Sequence, residues 1–337
     1  MKIVSIVAAL AGLAVTAILV ALFGVHAVFR SFLALGWKGF VAICLIHLGL
    51  LAIMGLAWRA LVPRAPIRSF MAARVVREAG SEVLPLSPIG GCVLGARVLI
   101  LAGISASIAA ASTIVDLTLE FFAKLAYTAI GLALLVSLRP GSAIAVPLSL
   151  GLAVASLAAV GFVVAQHRGI NLFDRLTRTL GSGWAERTAA GTAALRDALR
   201  ATYGRRIGLW SGFSLHLFCW IASAVETWVI LRILRNTLPF RTVLVIETLL
   251  HAVRTLGFIV PNAVGLQEGA YVLIGTGFGL PPPMALVVSL IKRARDLAIG
   301  LPALGVWQYV ESGRLWRRHG TADNATLRLG RPVGIKE

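Results

Sequence analysis

The stretch that decides how this chain folds is residues 247–271, ETLLHAVRTLGFIVPNAVGLQEGAY. An apolar run reaches Pro261 and Asn262, turns through 263–265 and resumes at Leu266. Because proline lacks an N–H and glycine tolerates a left-handed backbone, this pattern predicts two short helices joined by a break. Each arm is shorter than the roughly 20 apolar residues that span a bilayer, and both arms carry ionisable side chains. Irregular backbone with ionisable side chains is tolerated inside a membrane only where it is buried in protein or lines a wet cavity. We therefore predict a re-entrant hairpin at a substrate site.

The composition of the whole chain is typical of a membrane protein. Of its 337 residues, 58% are hydrophobic and only 14% are charged, which argues against a soluble domain of ordinary size. The formal net charge of +18 would indicate nucleic acid in a soluble protein. Here most arginines lie between apolar runs, which favours basic cytoplasmic loops that contact anionic lipids. The cysteines are far apart in apolar runs, and we predict no disulfide, metal or cofactor.

The apolar runs predict six full spans and two re-entrant hairpins within a single transmembrane domain, 1–337. The spans are expected at 3–24, 37–58, 116–138, 143–165, 207–231 and 283–310. Segment 59–83 is rich in arginine and is predicted to form a helix at the cytoplasmic surface. Segment 166–206 is predicted to be a basic cytoplasmic segment that is helical in its second part, and the basic tail 311–337 is expected on the same side.

The basic segments also predict the orientation of the two halves. If they and both termini are cytoplasmic, segment 84–115 of the first half, 1–165, must enter and leave from the cytoplasmic side. Segment 241–280 of the second half, 207–310, must enter and leave from the outer side. Two broken hairpins of opposite orientation are typical of transporters built from inverted repeats, which bind substrate between the repeats. The predicted fold is therefore an all-α polytopic membrane protein with an inverted repeat.

Polar and charged side chains inside the apolar runs mark the candidate site. Asp116, Glu120 and Lys124 are four residues apart and share one helix face. The candidate lipid-binding residues are Arg97, Asp116, Glu120, Glu226, Glu247, Arg254, Asn262, Gln267, Glu268, Lys292, Arg293, Arg295 and Asp296. Two interpretations stay open: ion pairs that hold helices together, or a polar cavity for a lipid headgroup. Because the sequence has no nucleotide-binding loop, HExxH motif or serine elbow, we predict that the protein is not an enzyme.

Seven segments carry a resemblance to a known family. They are HLGLLAIMGLAWRALVP, ARVVREAGSEVLPLSPIGG, GARVL, STIVDLTLE, HLFCWIASAVETWVILR, IETLLHAVRTLGFIVPNAVGLQEGAYVLIGTGFGLPP and SLIKRARDLAIGLPALGVWQ. The sequence resembles the hopanoid-biosynthesis-associated membrane proteins, a branch of a flippase-like superfamily that includes the membrane domain of lysyl-phosphatidylglycerol synthases. The turn of that family reads Pro–Gly. This chain has Pro261–Asn262 there, and asparagine also tolerates a left-handed backbone.

The resemblance implies a bacterial inner-membrane protein that moves lipids or takes part in lipid traffic, with hopanoids as the lipid class. Its expected partners are membrane lipids and, in one alternative, hopanoid-biosynthesis enzymes that it would bind as a non-catalytic accessory protein. A less favoured alternative is an enzyme that modifies a lipid headgroup, with Glu247, His251 and Glu268 as acid and base. The headgroup stays open, because hopanoid heads are often neutral polyols whereas arginines and lysines suit a phosphate or carboxylate.

Overall fold

The protein is a bundle of α-helices. A computed structural model describes residues 14–22, 25–83, 87–179, 184–256 and 263–329, which contain helices and no strand. After a helical stretch at 14–22, the helices are α1 Val25–Ala60, α2 Ile67–Val83, α3 Ser87–Leu101, α4 Ala106–Leu138, α5 Ala145–Thr179, α6 Trp184–Tyr203, α7 Arg206–Ile233, α8 Phe240–Leu256, α9 Leu266–Gly277 and α10 Pro282–Leu329. The prediction of an all-helical protein is confirmed over these residues.

Long apolar helices suited to a membrane make up much of this bundle. Among the described residues, four helices have the length and composition to cross a bilayer, and each overlaps a predicted span: Leu33–Ala60, Ala106–Leu138, Ala145–Val164 and Arg206–Ile233. The predicted span 3–24 lies largely outside the described residues. The predicted span 283–310 lies in α10, which carries four charged residues between 292 and 296. The total number of spans therefore stays a prediction.

The helix break predicted in the opening stretch is present. α8 ends at Leu256, and α9 follows a turn in which Ala263 and Gly265 have positive φ angles of 46° and 78°. Pro261 and Asn262 lie outside the described residues. The two arms, α8 and α9, contact each other as a hairpin. How deeply this hairpin enters the membrane, and from which side, stays a prediction.

Helices α2 and α3 form a second hairpin of short helices, in the first half of the chain. These two helices pack closely, and a Cβ added at Gly91 on α3 would lie 2.3 Å from the carbonyl oxygen of Arg77 on α2. Glycine at this position therefore sets the distance between the two helices. The segment 84–115, predicted to be re-entrant, contains α3 and the first turns of α4, whereas the helix that pairs with α3 lies upstream of it.

Helix α2 is not the surface helix that the sequence predicted for 59–83. Arg74 and Arg77 are only 2% and 5% exposed, and α2 packs against α1, α3 and α10. The surface interpretation was wrong for this face because it rested on the number of arginines. Buried arginines are tolerated where carboxylates face them, and Asp116 and Glu120 of α4 do so here.

The two largest apolar cores among the described residues each join helices that are far apart in the sequence. One joins α1 with α7, α8, α9 and α10 around Tyr271 and Leu286. The other joins the end of α1 with α2, α3, α4 and α6 around Trp58 and Phe70. Leu199 of α6 belongs to the second core, and α6 packs against α4. The prediction of a helix in the second part of segment 166–206 is thus confirmed. Helices from both cores also surround the polar cavity described in the next subsection.

Candidate functional site

A cavity of about 380 Å³ lies among helices α1–α4 and α7–α10. Its volume is within the range of small-molecule binding pockets. Six basic and six acidic side chains line it: Arg74, Arg77, Lys124, Arg254, Lys292 and Arg295, with Glu78, Glu82, Glu120, Glu226, Glu247 and Asp296. The cavity therefore collects charged side chains from both halves of the chain.

Helices α2 and α4 supply the first group of charges. Nη1 of Arg77 donates to Oδ2 of Asp116 at 2.6 Å. Glu120 Oε2 accepts hydrogen bonds from Arg74 and Arg77, each at 2.7 Å. Lys124 Nζ lies 3.1 Å from the other oxygen of Glu120, as the shared helix face predicted. Asp116 itself is fully buried behind these side chains.

Asp116, Glu120 and His216 place possible ligand atoms within 4.8 Å of one another, which is close enough to hold a metal ion. The two carboxylates, however, already face other groups through all four oxygens. Asp116 contacts Arg77 and, at 2.9 Å, Nε2 of His216, and Glu120 contacts three cations. Because guanidinium groups stand where a metal would neutralise these acids, the residues fit an ion-pair cluster and we derive no metal chemistry from them.

Lys292 is the centre of the second group, which joins α7, α8, α9 and α10. Its Nζ donates to Glu247 Oε2 at 2.6 Å, and to Thr227 Oγ1 and the Tyr271 hydroxyl, each at 2.9 Å. Thr227 Oγ1 in turn donates to Glu247 Oε1 at 2.8 Å, and the Tyr271 hydroxyl also donates to that carboxylate. All three donors of the ammonium group are therefore satisfied.

Arg295 and Arg254 provide the remaining ion pairs of the wall. Arg295 pairs with Glu226 of α7 and, at 2.6 Å, with its neighbour Asp296. Arg254 Nη2 lies 3.2 Å from Oε1 of Glu82. Glu82 is one residue from the end of α2, and Arg254 is two residues from the end of α8. This last pair therefore connects the two hairpins across the cavity.

Glu268 and Arg293 were predicted to bind ligand, and the structure places them beside the cavity instead of in its wall. Glu268 is fully buried and accepts hydrogen bonds from the Gly265 N–H and from Arg293 Nε, each at 2.8 Å. It thereby caps the start of α9, where unpaired N–H groups need an acceptor. Gln267 does line the cavity, and its amide donates to Ser289 at 3.0 Å.

One further predicted site residue, Arg97, is also not in the wall. Arg97 forms an ion pair with Glu311 of α10 at 2.6 Å, and 39% of its side chain is exposed. Asn262 lies outside the described residues. Of the other predicted residues, Asp116 contacts the wall through Arg77, and Glu120 lines the cavity directly.

The sequence reasoning missed the contribution of α2 to the site. Arg74, Arg77, Glu78 and Glu82 lie three or four residues apart, so they share one helix face. That spacing placed the charges on one face, but an amphipathic helix at a membrane surface has the same pattern, so it did not decide between a surface helix and a cavity wall. Tyr271 carried no comparable signal, since an aromatic residue in an apolar run is most often part of a core.

The sequence matches the lysylphosphatidylglycerol synthase TM region over residues 9–303. The chain belongs to this family. All twelve charged side chains of the cavity wall, from Arg74 to Asp296, lie within the matched range. The lysylphosphatidylglycerol synthase TM region is a membrane domain of the lipid-related, flippase-like kind, in agreement with the apolar helices. Comparisons with curated proteins and with solved structures gave no match.

Proposed function

We propose that this protein moves an amphiphilic lipid, a hopanoid or a similar molecule, between the leaflets of a bacterial inner membrane, with both termini cytoplasmic. The observation that carries the proposal is the charged cavity among helices whose outer faces are apolar, as Leu45 of α1, Val136 of α4 and Leu273 of α9 illustrate. Charges inside a bilayer are costly unless they face protein or water. A cavity of this kind offers a polar headgroup a route past the apolar interior while the apolar body stays in lipid.

The proposal is one of transport without chemistry. Membership of a lipid-related membrane family supports a lipid as the substrate, and the resemblance of the sequence to hopanoid-associated proteins supports the lipid class. The carboxylates of the wall are held in ion pairs with arginine or lysine, an arrangement that favours binding and positioning. Catalysis by a general base would instead require one of these carboxylates to lie within hydrogen-bond reach of a substrate proton.

Reconstitution into liposomes tests the proposal directly. A fluorescent hopanoid polyol should exchange between leaflets faster than in protein-free liposomes, as measured by quenching of the outer leaflet. The variant Arg254→Glu places two carboxylates opposite each other in the wall and should abolish the exchange. The matched control, Arg97→Glu, does the same at a partly exposed pair outside the wall and should exchange like the native protein. Exchange no faster than in protein-free liposomes would contradict the proposal.

Deletion of the gene tests the proposal in cells. Transport predicts that hopanoid synthesis continues and that the distribution of hopanoids between inner and outer membranes changes. Lipid extracts of the separated membranes measure this distribution. If one hopanoid species disappears from the whole cell and its precursor accumulates, the result supports the accessory or enzymatic alternative and contradicts transport.

A further inference from the structure

Each arginine and lysine in the cavity wall has an acidic partner. Among the described residues, the six basic side chains that line the cavity all form ion pairs with carboxylates at 3.2 Å or less. Six acidic side chains line the same cavity, so the formal charge of its arginine, lysine, aspartate and glutamate residues is zero. Asp116, behind the wall, adds one more negative charge.

This balance bears on the charge of the ligand. A phosphate or carboxylate entering the cavity meets cations whose charge is already balanced by protein carboxylates, so it adds a negative charge that nothing in the wall compensates. An uncompensated charge of this kind is strongly unfavourable in a buried site. A cationic headgroup meets the converse obstacle. The aromatic face of Trp220, which could attract an ammonium group, already has Lys124 Nζ 4.8 Å from its centroid.

The wall still offers hydrogen bonds. Within the described part of the chain, Arg254 lines the cavity with 32% of its side chain exposed, and of its five N–H donors those on Nη2 face Glu82. A carboxylate has about four lone-pair sites, more than these ion pairs use. A hydroxyl group can accept from such donors and donate to such acceptors without separating any pair.

We infer that the cavity takes the net-neutral, hydroxyl-rich headgroup of a lipid in preference to a phosphate-bearing or an ammonium-bearing headgroup. The inference rests on the proposed function in taking the cavity as the place where the headgroup binds. It resolves the choice left open by the sequence, in which the arginines and lysines suggested an anion. The acids of α2, Glu78 and Glu82, contribute to the balance, and their place in the wall could not be read from composition.

A panel of three lipids tests the preference. Glucosyl-diacylglycerol, phosphatidic acid and a diacyl trimethylammonium lipid share one apolar body and differ in headgroup charge. Binding to the purified protein in nanodiscs, measured by native mass spectrometry, should favour the glucosyl lipid by about tenfold over either charged lipid. Equal or tighter binding of phosphatidic acid or of the ammonium lipid overturns the inference. Leaflet exchange of the fluorescent hopanoid polyol is measured separately, and its failure to exchange contradicts transport without deciding the binding preference.

Removing one partner of the pair that joins the hairpins should create an anion site. Glu82→Gln leaves the Arg254 guanidinium without its acid, so phosphatidic acid should bind about tenfold more tightly than to the native protein. Glu82 and Arg254 are partly exposed, at 16% and 32%, which favours folding of the variant. The control Glu311→Gln frees Arg97 outside the wall and should leave the preference unchanged.

The reciprocal variant Arg254→Gln frees the Glu82 carboxylate and should improve binding of the ammonium lipid instead. The two variants thus predict opposite changes, which general destabilisation does not produce. No gain of phosphatidic acid binding in folded Glu82→Gln overturns the inference. If Glu82→Gln does not fold, Arg254→Gln provides the test. No gain of ammonium-lipid binding in folded Arg254→Gln then overturns the inference.

Discussion

Replacing Lys292 by methionine should destabilise the protein strongly. The ammonium group donates to three oxygens at 2.6–2.9 Å, and its acidic partner Glu247 is only 6% exposed. Methionine has a similar length, so the change removes the charge with little loss of packing. The carboxylate of Glu247 is then buried without a cation, and removing one partner of a buried pair costs about 3–5 kcal/mol.

A second substitution separates charge from packing. In the double variant Glu247→Gln with Lys292→Met this pair leaves no uncompensated buried charge, so most of the lost free energy of unfolding should return. Arg97→Gln is the control, because its pair with Glu311 is partly exposed and such pairs contribute about 0–1 kcal/mol. Equilibrium unfolding in mixed micelles with increasing dodecyl sulfate measures all three variants. The reasoning fails if Lys292→Met unfolds at the same detergent fraction as Arg97→Gln, or if the double variant is no more stable than Lys292→Met.

Three further predictions concern the hairpins and their contacts. Arg254→Glu places two carboxylates opposite each other and should abolish lipid exchange, whereas adding Glu82→Arg should restore it; liposome assays check this. In a background without the native cysteines, cysteines introduced at Ser87 and Ala263 should be labelled by impermeant thiol reagents from opposite faces or not at all, and labelling of both from one face contradicts the inverted repeat. Gly131→Ala should destabilise the protein by about 1–3 kcal/mol in the unfolding assay, because overpacking strains a core and a Cβ there would lie 2.3 Å from the facing threonine of α8.

Local signals in the sequence predicted the helices well. The Pro261–Gly265 region predicted the end of α8 and the start of α9, since proline and glycine act on the backbone within a few residues. The spacing of Glu120 and Lys124 predicted their contact for the same reason, because positions four apart always meet on a helix. Such signals need no knowledge of the rest of the fold.

The pairing between distant segments was not predictable in the same way. The sequence left open whether Arg254 forms an ion pair or faces the cavity, and it does both: it contacts Glu82, 172 residues away, from a place in the cavity wall, and not Glu268, which is much nearer in the sequence. Both acids can neutralise an arginine, and sequence separation does not show which of them the packing brings near. Glu268 pairs instead with Arg293 and with the backbone at the start of α9.

The distribution of the ion pairs also bears on how the cavity could open. The pairs within the first half join α2 and α4, and those within the second half join α7, α8 and α10. Among the arginine and lysine pairs of the described cavity wall, Glu82–Arg254 alone crosses from one half to the other. If one repeat moves against the other, as in transporters of this plan, the internal pairs can move with their own half, whereas Glu82–Arg254 and the contacts of His47 with Glu226 and of His216 with Asp116 have to separate. The partly exposed Glu82–Arg254 pair contributes little free energy, so the buried His216–Asp116 contact opposes opening more than the arginines and lysines of the wall do.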